Sequence, residues 1–591
     1  MFHLRRDGGR PESHTRVSRS GRLGILGALV LLSRPALAAW PSDPTANLPV
    51  CTAANDQQWP RLVADGAGGA IFAWEDRRGG VDNDIYVQRV RTNGAVDPAW
   101  PANGRALCTA TNDQQFPTLV SDGAGGAIVT WQDRRGGVDM DIYAQHVRAD
   151  GTVDPAWPAD GRALCTAAGD QQSPVILADG SGGAIVAWWD FRSGVDFDIY
   201  AQHVLATGAV DPVWPAGGRA LCTATHNQFS AGIVPDGSGG AIISWQDARG
   251  GTTFDVYAGH VMANGTADPA WPTDGRALCT AAENQQVPEI VSDGSGGAVL
   301  AWQDQRNGTN YQIFAAHVLA TGQADSAWPA DGRLLAPGTW DEFTPKLVRD
   351  GAGGAIVAWE DRRDFATSGQ DIYASHVKAN GVVDPAWPTL GRALCTALGT
   401  QQIPAIVAVD AGGAIVAWQD DRGPTWDLYA THVWTDGSLD ALWPVNGTAI
   451  STASGDQLTP MIATDAANGA IIGWQDTRNG NIDVFAQRVL STATLGGDLT
   501  GVSETSSLAL AMPNPARRGW IVRFALPSSS PASLDLLDIA GRRVMSREIG
   551  SMGAGSHAID LAQGRQVRPG VYFIRLRQGP DTRTVRVALL N

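Results

Sequence analysis

Residues 112–168 read NDQQFPTLVSDGAGGAIVTWQDRRGGVDMDIYAQHVRADGTVDPAWPADGRALCTAA, and this stretch decides the fold. Phe116–Ser121 is a short apolar run closed by Asp122-Gly123-Ala124-Gly125-Gly126. That cluster signals a hairpin, because glycine supplies the positive φ a tight turn requires. Ala127–Gln132 is almost continuously apolar, as expected of a strand covered on both faces. A second turn, Asp133–Gly137, leads to a third strand over Asp141–Arg148. Trp157–Asp160 then leads to a fourth strand over Arg162–Thr166. Four short antiparallel strands in one such stretch make one supersecondary unit.

The unit recurs. Trp-x-Asp stands at Trp74, Trp131, Trp188, Trp245, Trp302, Trp359, Trp418 and Trp474, at spacings of 57, 57, 57, 57, 57, 59 and 56 residues. Trp-Pro keeps the same register from Trp100 to Trp443, with an additional copy at Trp40. Eight four-stranded units predict an all-β chain built on an eight-bladed β-propeller. A linear β-solenoid is the alternative, but its rungs are usually shorter and its stack needs distinct caps. The two ends favour the ring. The last unit stops at Val484–Leu490 without a fourth strand, and Leu48–Thr52 is a fourth strand without the other three. Pairing residues 40–52 with the blade begun by 455–490 would leave no open edge.

The boundaries follow. Residues 1–38 read as a signal peptide: arginines, the apolar run Leu23–Leu32, then Ala36-Leu37-Ala38, with cleavage between Ala38 and Ala39. The apolar run is too short to span a bilayer. The propeller occupies 39–493, a linker 494–507, and a separate module 508–591. Residues 39–507 carry a net charge of −28 and residues 508–591 one of +7. A strongly acidic propeller repels nucleic acid and anionic membrane surfaces. No transmembrane span is expected, and the exported chain belongs outside the cell or on its outer surface.

The repeated residues read as structure. Cys51, Cys108, Cys165, Cys222, Cys279 and Cys395 share one repeat position, occupied by Ala336 and Ser451 elsewhere. Equivalent positions on neighbouring blades point the same way, so free buried thiols are expected rather than disulfides. One histidine per blade, as at His146 and His203, gives way to Arg89 and Arg488 in two units. Ligands spread around a ring do not converge on one ion, so no metal site is expected there. Aspartate-rich loops such as Asp82-Asn83-Asp84 make calcium the one candidate cofactor, and no complete calcium loop is present in the sequence. Eight identical Trp-x-Asp-x-Arg motifs cannot all be one active site, so no catalytic residue is assigned.

A single site needs a unique constellation, and the repeat breaks its own rule at few places. The sixth unit carries Trp340-Asp341-Glu342-Phe343 and an insertion around Asp364–Gln370; the seventh adds Trp426 and Trp434; the third adds Trp189 and Phe191. Trp340, Asp341, Glu342, Trp426 and Trp434 are the ligand-binding candidates, because loop aromatics stack on sugar rings or partner side chains. Adjacent residues on a strand point apart, so Asp341 and Glu342 do not form an acid–base pair.

The last 84 residues read as alternating strands of a small immunoglobulin-type sandwich. Asn514-Pro515, Phe524-x-Leu526-Pro527, Asp538-x-x-Gly541-Arg542, Gly553-Ala554-Gly555-Ser556-His557, Gly570-Val571-Tyr572-Phe573 and the Thr584–Leu590 strand resemble the C-terminal sorting domain of type IX secretion cargo and the related FlgD-type Ig-like domain. The resemblance implies a secretion machinery as partner of 508–591 and attachment at, or release from, the cell surface. It confers no activity. The functional expectation is a non-enzymatic exported protein that binds a protein or a glycan or serves as a surface scaffold. The alternative is a propeller-type glycoside hydrolase or lyase; the Ser-x-Asp-x-Gly-x-Thr-Trp turns of sialidase-like propellers are not matched.

Overall fold

The computed structural model describes residues 40–409, 412–496 and the segments 509–511, 521–526, 532–539, 541–549, 555–560, 570–578 and 581–589. The chain divides into Met1–Leu37, which lies outside the described residues, and Ala38–Asn591. The expected cleavage point at Ala38 and Ala39 and most of the linker also lie outside them. Among the described residues the fold is all-β with no helix, so none is long and apolar enough to cross a membrane.

Residues 40–496 form eight four-stranded antiparallel sheets, an arrangement of propeller type. The first sheet contains Gln57–Ala64, Ala70–Asp76, Asp84–Val90 and Arg105–Cys108 in sequence order. The next six repeat that order. In the fifth the outer strand shrinks to Arg333–Leu334. The eighth joins Gln457–Thr464, Ala470–Asp476 and Asp483–Val489 to Leu48–Cys51, with Leu48 opposite Ala486. The strand spare at the N-terminus thus fills the place missing at the end of the array.

The core lies between sheets. The second strand of each sheet is buried almost throughout, as in Ala70–Asp76 and Ala127–Asp133, because another sheet covers each face. Ile71, Ile85, Leu107, Leu119, Val129 and Trp131 form one apolar cluster between the first two sheets. Trp40, Val50, Phe72, Trp74, Ile471 and Val484 form another between the eighth sheet and the first.

Local chemistry explains the repeated motifs. The Asp122 carboxylate accepts from the amides of Ala124 (2.7 Å) and Gly126 (2.8 Å) and so shapes the hairpin. A side chain at Gly126 would lie 2.3 Å from the Val147 carbonyl, so only glycine fits there. In Trp-x-Asp-x-Arg, Asp133 Oδ2 accepts from Trp131 Nε1 at 2.7 Å and from Arg135 Nη2 at 2.6 Å, while Oδ1 takes the Arg135 amide and Nε. Arg135 lies 3.8 Å above the Tyr143 ring. The cysteines are free and buried, with Arg135 Nη2 3.1 Å from Cys108 Sγ. Burial pushes the Cys108 thiol up to about 12, so it is inert as a nucleophile.

The histidines are structural as well. His146 bridges Asp154 (Nδ1, 2.9 Å) and Asp122 (Nε2, 2.9 Å), tying the first hairpin to the connection after the third strand. Burial opposes ionisation of Asp122, but the His146 and turn-amide hydrogen bonds hold its carboxyl below the ordinary range. Where arginine replaces histidine, Arg488 and Asp465 pair at 2.7 Å, both fully buried. Among the described residues no group of three or more His, Cys, Asp or Glu is placed to hold a metal ion.

After residue 496, a three-stranded sheet contains Ala509–Ala511, Ile521–Leu526 and Gly555–Asp560, and a four-stranded antiparallel sheet contains Ala532–Asp538, Arg543–Glu548, Gly570–Gln578 and Asp581–Leu589. Leu534, Leu536, Ile574 and Leu576 are buried in the latter.

Candidate functional site

Each sheet presents two rims. One carries the hairpins between first and second strands. The other carries the loops between second and third strands, together with the start of the next first strand. Trp340, Asp341 and Trp426 lie on the second rim. Trp434 does not: it follows the last residue of Asp427–Val433, whereas Trp426 precedes the first. The two seventh-unit tryptophans therefore sit at opposite ends of one strand and cannot share a site. Trp434 packs edge-on to His432, with ring centroids 4.3 Å apart.

The Trp340 region forms a cavity of about 400 Å³ lined by Thr309, Asn310, Thr339, Trp340, Asp341, Arg362 and Phe365. It sits between the fifth and sixth sheets. Phe365, brought by the insertion, is 55% exposed. Arg362 is exposed, stacks 5.1 Å from the Phe365 centroid and 4.8 Å from Phe343, and receives its orientation from Gln370 Oε1 at 3.1 Å. Trp340 is half-buried, with Arg363 4.8 Å from its ring. Its seat depends on Gly338, where a Cβ would fall 2.4 Å from the indole. The Trp340 and Phe365 rings beside hydroxyl, amide and charged groups can bind the flat face and the polar edge of a sugar together.

Two of the expected residues play other parts. Asp341 is the ordinary residue of its repeat position. Its Oδ1 accepts from the Tyr311 amide at 3.0 Å, as Asp113 does from Asn83 and Asp456 from Trp426. Glu342 is the true departure, because seven other units have glutamine there. It is fully buried and accepts from the Ile313 amide at 2.9 Å, so it does not line the cavity. Burial pushes its carboxyl up to about 8. The Ile313 bond, Arg363 and the nearby Trp340 indole offset part of that rise, and Asp361 adds to it.

The folded protein therefore retains the Glu342 proton between the ordinary carboxylate range and about pH 8, where the unfolded chain has lost it. Stability contributed there falls as pH rises through that window. Glu342→Gln is expected to raise the melting temperature at pH 9 and to change it little at pH 5. Thermal unfolding at the two pH values checks this.

A feature that local sequence reading misses runs around this rim. The middle residue of Trp-x-Asp reaches the third residue of the next sheet's first strand: Gln132 Oε1 accepts from the Ser173 amide at 3.0 Å, and Gln246 Oε1 from Val287 at 3.0 Å. Glu75 does the same for Phe116 at 2.8 Å, and Gln475 for Trp59 at 3.1 Å. The recipients adopt positive φ, 52° at Phe116 and 51° at Trp59, which turns the amide toward its acceptor. Trp189 occupies this position in the third sheet and cannot accept. The signal was the variable column between two invariant ones.

No family model matches the chain, and no curated protein matches it. Several solved structures are similar. A PL25 ulvan lyase shares 10% identity at a TM-score of 0.40, over 79% of this chain and 99% of that one. A protein of unknown function from Dyadobacter fermentans shares 7% at 0.36, over 75% and 96%. An endo-arabinase from Bacteroides thetaiotaomicron shares 12% at 0.25, over 44% and 92%. At these values nothing about this chain's ligand follows from them.

Proposed function

We propose that residues 40–496 close into an eight-bladed propeller, that the chain is exported, and that it binds a carbohydrate without transforming it. The observation that carries the binding role is the cavity at Trp340, Arg362 and Phe365, where the repeat gains an insertion and the rim gains an exposed ring beside polar groups. The absence of chemistry rests on the carboxylates. Hydrolysis of a glycosidic bond ordinarily needs two in one cleft. Among the described residues Asp341 alone lines the cavity, and Glu342 beside it is sealed beneath the strand. The segment 508–591 acts, on this reading, as an Ig-like sorting or attachment module that engages a secretion machinery.

A glycan array probed with the full chain, Phe365→Ala and Trp340→Ala tests the assignment. Binding to one class of glycan that falls about tenfold or more in Phe365→Ala is expected, the loss of one stacked, partly desolvated ring contact. Binding unchanged in both variants contradicts the cavity as the site. Release of shorter sugars from the arrayed glycans contradicts the non-enzymatic reading and favours the hydrolase or lyase alternative.

A further inference from the structure

The cavity is one end of a longer feature. Just before the third strand, the third, fourth and fifth sheets carry Phe197, Phe254 and Tyr311, where the first two carry Asn83 and Met140. The second residue of the first strand, glutamine in most sheets, is Phe229 in the fourth and Phe343 in the sixth. These half-buried rings touch in two groups along the rim, one in the third and fourth sheets and one in the fifth and sixth. Phe197 and Phe229 lie 5.5 Å apart, Phe229 and Phe254 6.1 Å, and Tyr311 and Phe343 5.5 Å. Gln286 sits in the fifth sheet's place and accepts from the Tyr311 hydroxyl at 3.1 Å. Arg362 then joins Phe343 to Phe365 at the cavity.

A second observation marks the other end. Trp189 stands where other sheets have the glutamine or glutamate that hydrogen-bonds the next sheet, and its ring lies 5.2 Å from Phe229. The third sheet forgoes a bond between sheets and adds an indole to this row.

We infer that this arc, from Trp189 to Phe365 across four consecutive sheets, holds one linear polysaccharide chain several sugar units long. The inference rests on the carbohydrate reading of the cavity and extends it from a sugar end to a chain interior. Half-buried rings with the Gln286 amide and the Tyr311 hydroxyl set among them present apolar faces and hydrogen-bonding edges along one row, as an extended chain of sugar rings does. A protein partner would instead call for a continuous apolar centre. Arg362 forms no ion pair among the described residues, so a uronate unit can be held at the cavity end as well as a neutral one.

Titration of the full chain with disaccharides and hexasaccharides from xylan, mannan and polygalacturonate tests the inference. One series should bind about tenfold or more tighter as the hexasaccharide than as the disaccharide. Phe254→Leu and Phe229→Leu, which keep apolar bulk for folding, should erase that gain and leave the disaccharide unchanged. Phe365→Ala should weaken both lengths. Equal affinity for both lengths, or a gain untouched by both leucine variants, overturns the arc and leaves the cavity standing. Absence of binding in all three series overturns both. Preference for polygalacturonate fragments over neutral ones identifies the uronate form of the ligand.

Discussion

Trp40→Ala is expected to destabilise the protein by about 3–5 kcal/mol, the usual loss when a large buried aromatic is cut back to a methyl group. Trp40 precedes the strand Leu48–Cys51 and is 2% exposed. Its Nε1 donates to the Thr92 carbonyl at 2.8 Å, in the first sheet. Its ring lies so close over Gly94 that a Cβ there would fall 2.8 Å from Cγ. Trp100 makes the equivalent contact one sheet on, donating to Ala149 at 3.2 Å over Gly151. Trp100→Ala removes a similar buried surface, but only Trp40 belongs to the segment that completes the eighth sheet. Urea unfolding should therefore show a loss for both, with early protease cleavage of the N-terminal segment in Trp40→Ala alone.

Asp247→Ala should cost a comparable amount, about 3–5 kcal/mol, because it leaves a charge without its partner in a largely buried place. Asp247 is fully buried and accepts from Trp245 Nε1 at 2.8 Å, from the Arg249 amide, Nε and Nη2 at 2.9, 2.9 and 2.6 Å, and from Cys222 Sγ at 3.7 Å. Arg249 also stacks 3.9 Å above Tyr257 and donates to the Asp274 carbonyl at 2.6 Å. The double variant Asp247→Ala with Arg249→Met removes both charges and should recover part of the loss. A double variant no more stable than the single one would show that the tryptophan and turn contacts, not the ion pair, hold the motif together.

The strands and their turns were legible because each is a local pattern that recurs around the array: a buried second strand after Asp-Gly-x-Gly-Gly in six units, a third strand opening on an aspartate in seven, a tryptophan before the fourth in all eight. The N-terminal strand was legible by subtraction, since Leu48–Cys51 matches the strand the eighth unit lacks. The inter-sheet bonds of Gln132 and Gln246 were not, because donor and acceptor lie 41 residues apart and meet only when sheets stack. The same limit applies to the site. A tryptophan added to a loop marks a departure from the repeat but not its rim, so Trp434 and Trp426 looked equivalent. Glu342 looked like a ligand-binding residue although its repeat position is sealed in every sheet. The row formed by Phe197, Phe229 and Phe254 combines two repeat columns, and neither column alone shows that its rings touch.

The central claim is that the segment before the first sheet closes the array, and Leu48→Cys with Ala486→Cys tests it directly. These residues face each other across an antiparallel pair, within reach of a disulfide, while the six native thiols are buried. Closure predicts a cross-link within one chain on mild oxidation, seen as faster migration on a non-reducing gel. Thiols that remain free, or that join only separate chains, would contradict it.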